Sequence, residues 1–84
     1  MALWHKKGYE HKDDVFEACM WTRDNLGFIN DRFKTEFYAD NNDTLWIKEG
    51  CLGCRPGSYI ALQDGAFKIY GQEPFNERYQ AYKE

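Results

Sequence analysis

The sequence predicts an α+β domain: a small curved antiparallel sheet of about five strands, one helix after the first strand and a second helix at the C-terminal end. Three observations carry this expectation. Asp64-Gly65 joins two runs of alternating apolar character, 58–62 and 66–70. This is a strong hairpin signal, because both central residues of a type I′ turn need φ > 0. Leu26, Ile29 and Phe33 fall at i, i+3 and i+7, which gives a helix one apolar face. Glu73-Pro74 places proline at the first position of a second helix, where its missing N–H costs nothing.

In chain order, residues 1–13 read as a polar lead-in to a folded core over 14–84. Lys6, Lys7 and Lys12, with His5 and His11, are offset there by Glu10, Asp13 and Asp14, and the histidines read as solvated. Val15 to Thr22 is rich in β-formers with both faces largely apolar, as in a central strand, although a buried helical turn carries the same pattern. Asp24 or Asn25 supplies an N-cap for the first helix, which runs to near Phe33 and is weakened at Gly27 by about 1 kcal/mol relative to alanine. Phe37 to Ala39 forms a short strand, and Asp40-Asn41-Asn42-Asp43 turns the chain into Thr44 to Lys48, where Leu45 and Ile47 oppose Trp46.

Glu49-Gly50 reads as a tight turn into Cys51 to Cys54. Pro56-Gly57 fits a type II turn, since proline presets φ and glycine accepts the positive φ that follows. After the central hairpin, which Gly71 ends, Phe75, Tyr79 and Tyr82 lie one turn apart as a stripe that caps the sheet. The order is thus a strand, a helix, a four-strand antiparallel meander and a helix, which a partly open barrel and a flat sheet packed under the first helix both fit.

At 84 residues this is one domain, and a chain of that size buries roughly 60–65% of its unfolded surface. Aromatic residues make up 18% of it, more than so small a core encloses easily, so some rings are expected on the surface. A net charge of −3 argues against a general nucleic-acid binder, which needs a basic surface for phosphate contacts. No run has the apolar length of a membrane helix and no signal peptide is visible. With an odd count of three cysteines, this points to a reducing cytoplasm.

Taken together, the segments resemble a family of small bacteriophage accessory proteins that share a PGDYI-type motif. The residues that carry the likeness are Glu17-Ala18 with Trp21, Thr22-Arg23-Asp24-Asn25-Leu26, Leu45 with Ile47-Lys48-Glu49-Gly50, Arg55-Pro56-Gly57-Ser58-Tyr59-Ile60, Gly65-Ala66-Phe67, and Phe75 with Tyr79. They run from about Val15 to Tyr79. Ser58 and Ala66 replace an aspartate and a glutamate of the family pattern, and Cys51 and Cys54 replace ordinary strand residues. The resemblance implies a phage origin, a fold and a location in the cytoplasm of the infected bacterial host, and supplies no catalytic residue.

Cys51-x-x-Cys54 invites a zinc or redox reading with Cys19, His5 and His11 as further ligands. A zinc ribbon needs a second matching pair, and extended residues at i and i+3 face opposite sides of a sheet, so no metal is expected. There is no Gly-rich phosphate loop and no nucleophile elbow, and neither a catalytic residue nor a cofactor is predicted. What remains is surface aromatics with flanking cations. Trp46, Tyr38, Tyr70, Tyr82, Arg55 and Arg78 are the candidate protein-binding residues, with Trp46 and Tyr38 sharing the outer face of one hairpin. The leading expectation is a phage protein that binds and inhibits or redirects a bacterial host protein, a defence component among the candidates. The alternatives are a small-molecule or nucleotide binder that uses Arg55 or Arg78 against a phosphate, and a homo-oligomeric assembly factor.

Overall fold

The computed structural model describes residues 2–8, 15–47 and 52–82. In order, their elements are β1 (Ala2–Lys6), β2 (Phe16–Met20), α1 (Leu26–Phe33), β3 (Tyr38–Ala39), β4 (Leu45–Ile47), β5 (Leu52–Cys54), β6 (Tyr59–Gln63), β7 (Ala66–Tyr70), α2 (Gln72–Arg78) and β8 (Tyr79–Ala81). A five-stranded antiparallel sheet has the order β7-β6-β2-β1-β8, and a three-stranded one the order β3-β4-β5. The α+β class and the five-stranded antiparallel sheet are those expected from sequence, and the sheet is open rather than closed into a barrel.

The central hairpin forms as its turn chemistry dictates. Asp64 and Gly65 take φ of 52° and 78°, the two positive values a type I′ turn requires. Gly57 has φ of 92°, and the Ser58 N–H donates to the Arg55 carbonyl at 3.0 Å, closing the Pro56-Gly57 turn. The expected turn at Glu49-Gly50 lies outside the described residues.

Three expectations are corrected. Residues 2–6 are not part of a polar lead-in: β1 pairs with both β2 and β8, and His5 is 4% exposed rather than solvated. Its ring is held by hydrogen bonds at both nitrogens, Nδ1 to the Lys6 carbonyl at 3.1 Å and Nε2 to the Gln80 side-chain amide at 3.3 Å. The second helix is not terminal, since it ends at Arg78 and Tyr79–Ala81 pairs with β1. Tyr79 therefore belongs to a strand, and Tyr82 follows that strand with its N–H on the Leu3 carbonyl at 2.8 Å. The strands after α1 do not form one meander either. β3 to β5 make their own sheet, whereas β6 leaves it to pair with β2.

Each face of the large sheet carries its own core. On one, Cys19, Ile60, Leu62, Phe67 and Ile69 meet Ile29 and Phe33 of α1 and Leu45, Ile47 and Cys54 of the small sheet, with Trp21 and Phe37 filling the join. On the other, Ala18, Tyr59 and Ala61 lie under α2, whose Phe75 is fully buried. Rings from all five strands surround Phe75. Trp4 of β1, Phe16 of β2, Tyr59 of β6, Tyr70 of β7 and Tyr79 of β8 have centroids 4.9, 6.2, 4.1, 5.6 and 5.0 Å from it. Flat, five strands spaced about 4.8 Å apart would set the edges roughly 19 Å from one another. For both edges to reach a single ring, the sheet must curl around it.

A polar device ties α1 to β3. The Asn30 Oδ1 accepts the Phe37 N–H at 2.8 Å and the Thr35 hydroxyl at 3.0 Å, while its Nδ2 donates to the Phe37 carbonyl at 3.0 Å. The side-chain amide thus stands in for a neighbouring strand at the outer edge of the small sheet. Asn25, at the N-cap position of α1, does not cap the helix. Its amide turns back to accept the Thr22 N–H at 3.0 Å and to donate to the Met20 carbonyl at 2.9 Å, fixing the exit from β2.

Candidate functional site

The outer face of the small sheet is set by register. Leu45 and Ile47 are buried, so Trp46 between them points outward, directly opposite Tyr38 on β3 and Gly53 on β5. Tyr38 is 57% exposed, the most open of the exposed large hydrophobic residues, which also include Phe28 and Leu52. Trp46 is half-buried because its six-membered ring lies over Gly53. A Cβ there would come within 3.3 Å of the indole and 3.0 Å of the Thr44 methyl, so glycine is what lets the ring lie down on β5.

Asp40 anchors the other end of the indole. Its Oδ2 accepts the Trp46 Nε1–H at 2.8 Å, and its Oδ1 accepts the N–H groups of Asn42 and Thr44 at 2.8 and 3.1 Å. These bonds, that from Trp46 foremost, hold the Asp40 carboxyl below its ordinary value, because they are made to the charged form. The Asp40–Asp43 segment is accordingly a built turn. Trp21 also fastens it, donating its indole N–H to the Asp43 carbonyl at 2.6 Å.

A second cluster forms where the sheet curls round α2. The Tyr70 hydroxyl donates to Gln63 Oε1 at 2.5 Å, and the Tyr70 and Tyr79 rings lie 5.7 Å apart. Burial pushes the Tyr70 phenol up to about 12. The Tyr79 phenol goes the other way. Its hydrogen bond from Gln63 lowers it first, burial opposes this, and its contact with Tyr70 and the charges of Arg78 and Lys68 add to the lowering.

The six candidate binding residues thus separate. Tyr38 and Trp46 stand together on the outer face of one hairpin, as alternation implied, although Trp46 is less open than an isolated surface ring. Tyr70 and Arg78 come together at the tyrosine cluster. Tyr82 packs edge-on against His5 at 5.7 Å, and Arg55 is exposed at the turn between β5 and β6. Sequence reasoning missed Asp40, Gln63, Lys68 and Tyr79 as members of these sites. Asp40 carried a usable signal, an acid that opens a turn six residues before a tryptophan. Gln63 and Lys68 share the β6–β7 hairpin with Tyr70, and Tyr79 joins them only through the curl of the sheet.

Among the described residues no group of three or more His, Cys, Asp or Glu side chains could hold a metal ion. Cys51 lies outside the described residues. Cys54 is fully buried, its thiol pushed up to about 12 by burial and, secondarily, by the neighbouring Cys19, itself raised by burial. Neither is a reactive thiolate at neutral pH. No described helix is long and apolar enough to cross a membrane. Comparisons with protein-family models, with curated proteins and with solved structures return no match.

Proposed function

We propose that this is a small non-enzymatic accessory protein of bacteriophage origin that binds a protein of the bacterial host and inhibits or redirects it. Its contact surface is the outer face of the small sheet. The observation that carries this reading is Tyr38, a tyrosine 57% exposed on a regular strand, beside an indole that glycine and a carboxylate hold in place. Tyrosine and tryptophan presented on a rigid element are the side chains that dominate binding energy at protein interfaces, because they bury much area while losing little rotamer freedom. The phage origin rests on the ordered motifs between Val15 and Tyr79.

The test is affinity capture from bacterial lysate with the wild type and Tyr38→Ala. An open position on a short strand contributes within about 0.5 kcal/mol to folding, whereas truncating a central aromatic contact costs about 2 kcal/mol or more of binding. The expected result is a host protein retained by the wild type and lost by a variant of unchanged melting temperature. Equal capture by the two, or none by either, would refute it. Trp46→Ala is the poorer probe, since it also strips the cover from Gly53 and a hydrogen bond from Asp40.

A further inference from the structure

We propose that the cluster formed by Gln63, Tyr70 and Tyr79, with Lys68 and Arg78 beside it, is a binding site for a small oxyanion of the phosphoryl class. The site exists because the sheet curls: β7 and β8 are opposite edges, yet the Tyr70 and Tyr79 rings meet at 5.7 Å and Tyr70 reaches Gln63. Two hydroxyls and a side-chain amide therefore converge where neither strand alone could place them. Lys68 precedes Tyr70 by two residues on β7 and so shares its face, and Arg78 is the last residue of α2, next to Tyr79. Both cations are exposed, and neither makes an ion pair among the described residues.

Donor chemistry selects the ligand. The Tyr70 hydroxyl is spent on Gln63 and one Gln63 N–H on Tyr79, which leaves the Tyr79 hydroxyl, the second Gln63 N–H, the Lys68 ammonium and the Arg78 guanidinium to donate, and an oxyanion with several oxygens can take bonds from several of them at once. The charges of Arg78 and Lys68 both act on the Tyr79 phenol, in the direction that lowers it, so both cations are felt at its oxygen. Glu73 and Glu77 of α2 line a different, open depression of about 450 Å³ with Lys7, Gln72 and Asn76. The site is independent of the Tyr38 face, and its test does not depend on a host partner.

The experiment is an NMR titration with inorganic phosphate, set against sodium chloride at matched ionic strength, following the Tyr70 and Tyr79 rings and the Gln63 side-chain amide. Saturable shifts confined to those groups are expected. Affinity should fall about tenfold in Lys68→Gln and in Arg78→Gln, the loss appropriate to one charge-assisted hydrogen bond. Tyr79→Phe keeps the ring that packs on Phe16 and Phe75 and removes only the hydroxyl, so weaker phosphate binding by that folded variant would assign the phenol directly. A parallel titration with adenosine monophosphate identifies the source. Tighter binding than phosphate points to a nucleotide, and equal binding points to an isolated phosphoryl group. Shifts that do not saturate, that sodium chloride reproduces, or that persist unchanged in the three variants would overturn the site.

Discussion

The two faces of the five-stranded sheet solve the same problem differently. The first is covered by α1 and a whole second sheet, and its core is shared among Trp21, Ile29, Phe33, Phe37, Leu45, Ile47, Cys54 and Ile60, none of which is its centre. The second is covered by α2, seven residues long, and its core is one ring inside five others. Isolated helices that short are not stable in water, so α2 persists through what Phe75 buries. A distributed core tolerates local loss, whereas a core with a hub concentrates it.

Phe75→Ala should therefore have the largest effect of any single truncation. Deleting a buried phenylalanine costs about 3–5 kcal/mol, and here the cavity opens where rings from all five strands meet. In urea denaturation the midpoint should drop by more than for Ile29→Ala or Leu45→Ala on the other face. A larger loss for either of those would abolish the contrast. Gly65→Val comes next and strikes the sheet that both faces share, since it forces a β-branched residue to φ of 78°. A penalty of about 1–3 kcal/mol is expected in thermal unfolding.

Asn30→Ala tests the polar tie found on the first face. It leaves the Phe37 N–H and carbonyl without their side-chain partner, at a cost of about 1–3 kcal/mol, and hydrogen exchange should quicken at Phe37 before it does in β6. Alkali separates the faces more gently. On the first, the folded Cys54 thiol is raised from 9.0 to about 12, so its contribution is complete below pH 9 and is lost as pH rises toward 12. On the second, Tyr70 is raised from 10.0 to about 12 while Tyr79, in contact with it, is lowered, so the two act in opposite senses. Cys54→Ala should flatten the alkaline fall in melting temperature that begins near pH 9.

What could be read from sequence was local. Asp64-Gly65, the Leu26-Ile29-Phe33 spacing and the opposition of Leu45 and Ile47 to Trp46 each act within a few residues, and each formed as expected. Neither β1 nor β8 was legible. In β1, Leu3 and Trp4 are followed by His5, Lys6 and Lys7, so a buried strand resembles a solvated tail until the Gln80 amide is brought against the imidazole. The spacing of Phe75, Tyr79 and Tyr82 fits a helix as well as it fits a helix followed by a strand. Pairing of Tyr79 with Lys6, more than seventy residues away in sequence, decides between them. The same distance hid the tyrosine cluster, whose members come from β6, β7, α2 and β8, while Tyr38 and Trp46 needed only strand alternation.

That pairing also has a consequence for the order of events in folding. The hairpin of β6 and β7 closes over two residues and needs nothing else, but β1 gains its second neighbour only when the segment near Gln80 is present and delivered. Bringing such distant segments together costs entropy that grows slowly with separation and is recovered only after contact, so completion of the sheet is a late step. Until then the outer edge of β1 presents unpaired backbone beside Trp4. Anything that delays the last strand, a fusion at its end or a stalled chain, prolongs the interval in which a second molecule can take its place.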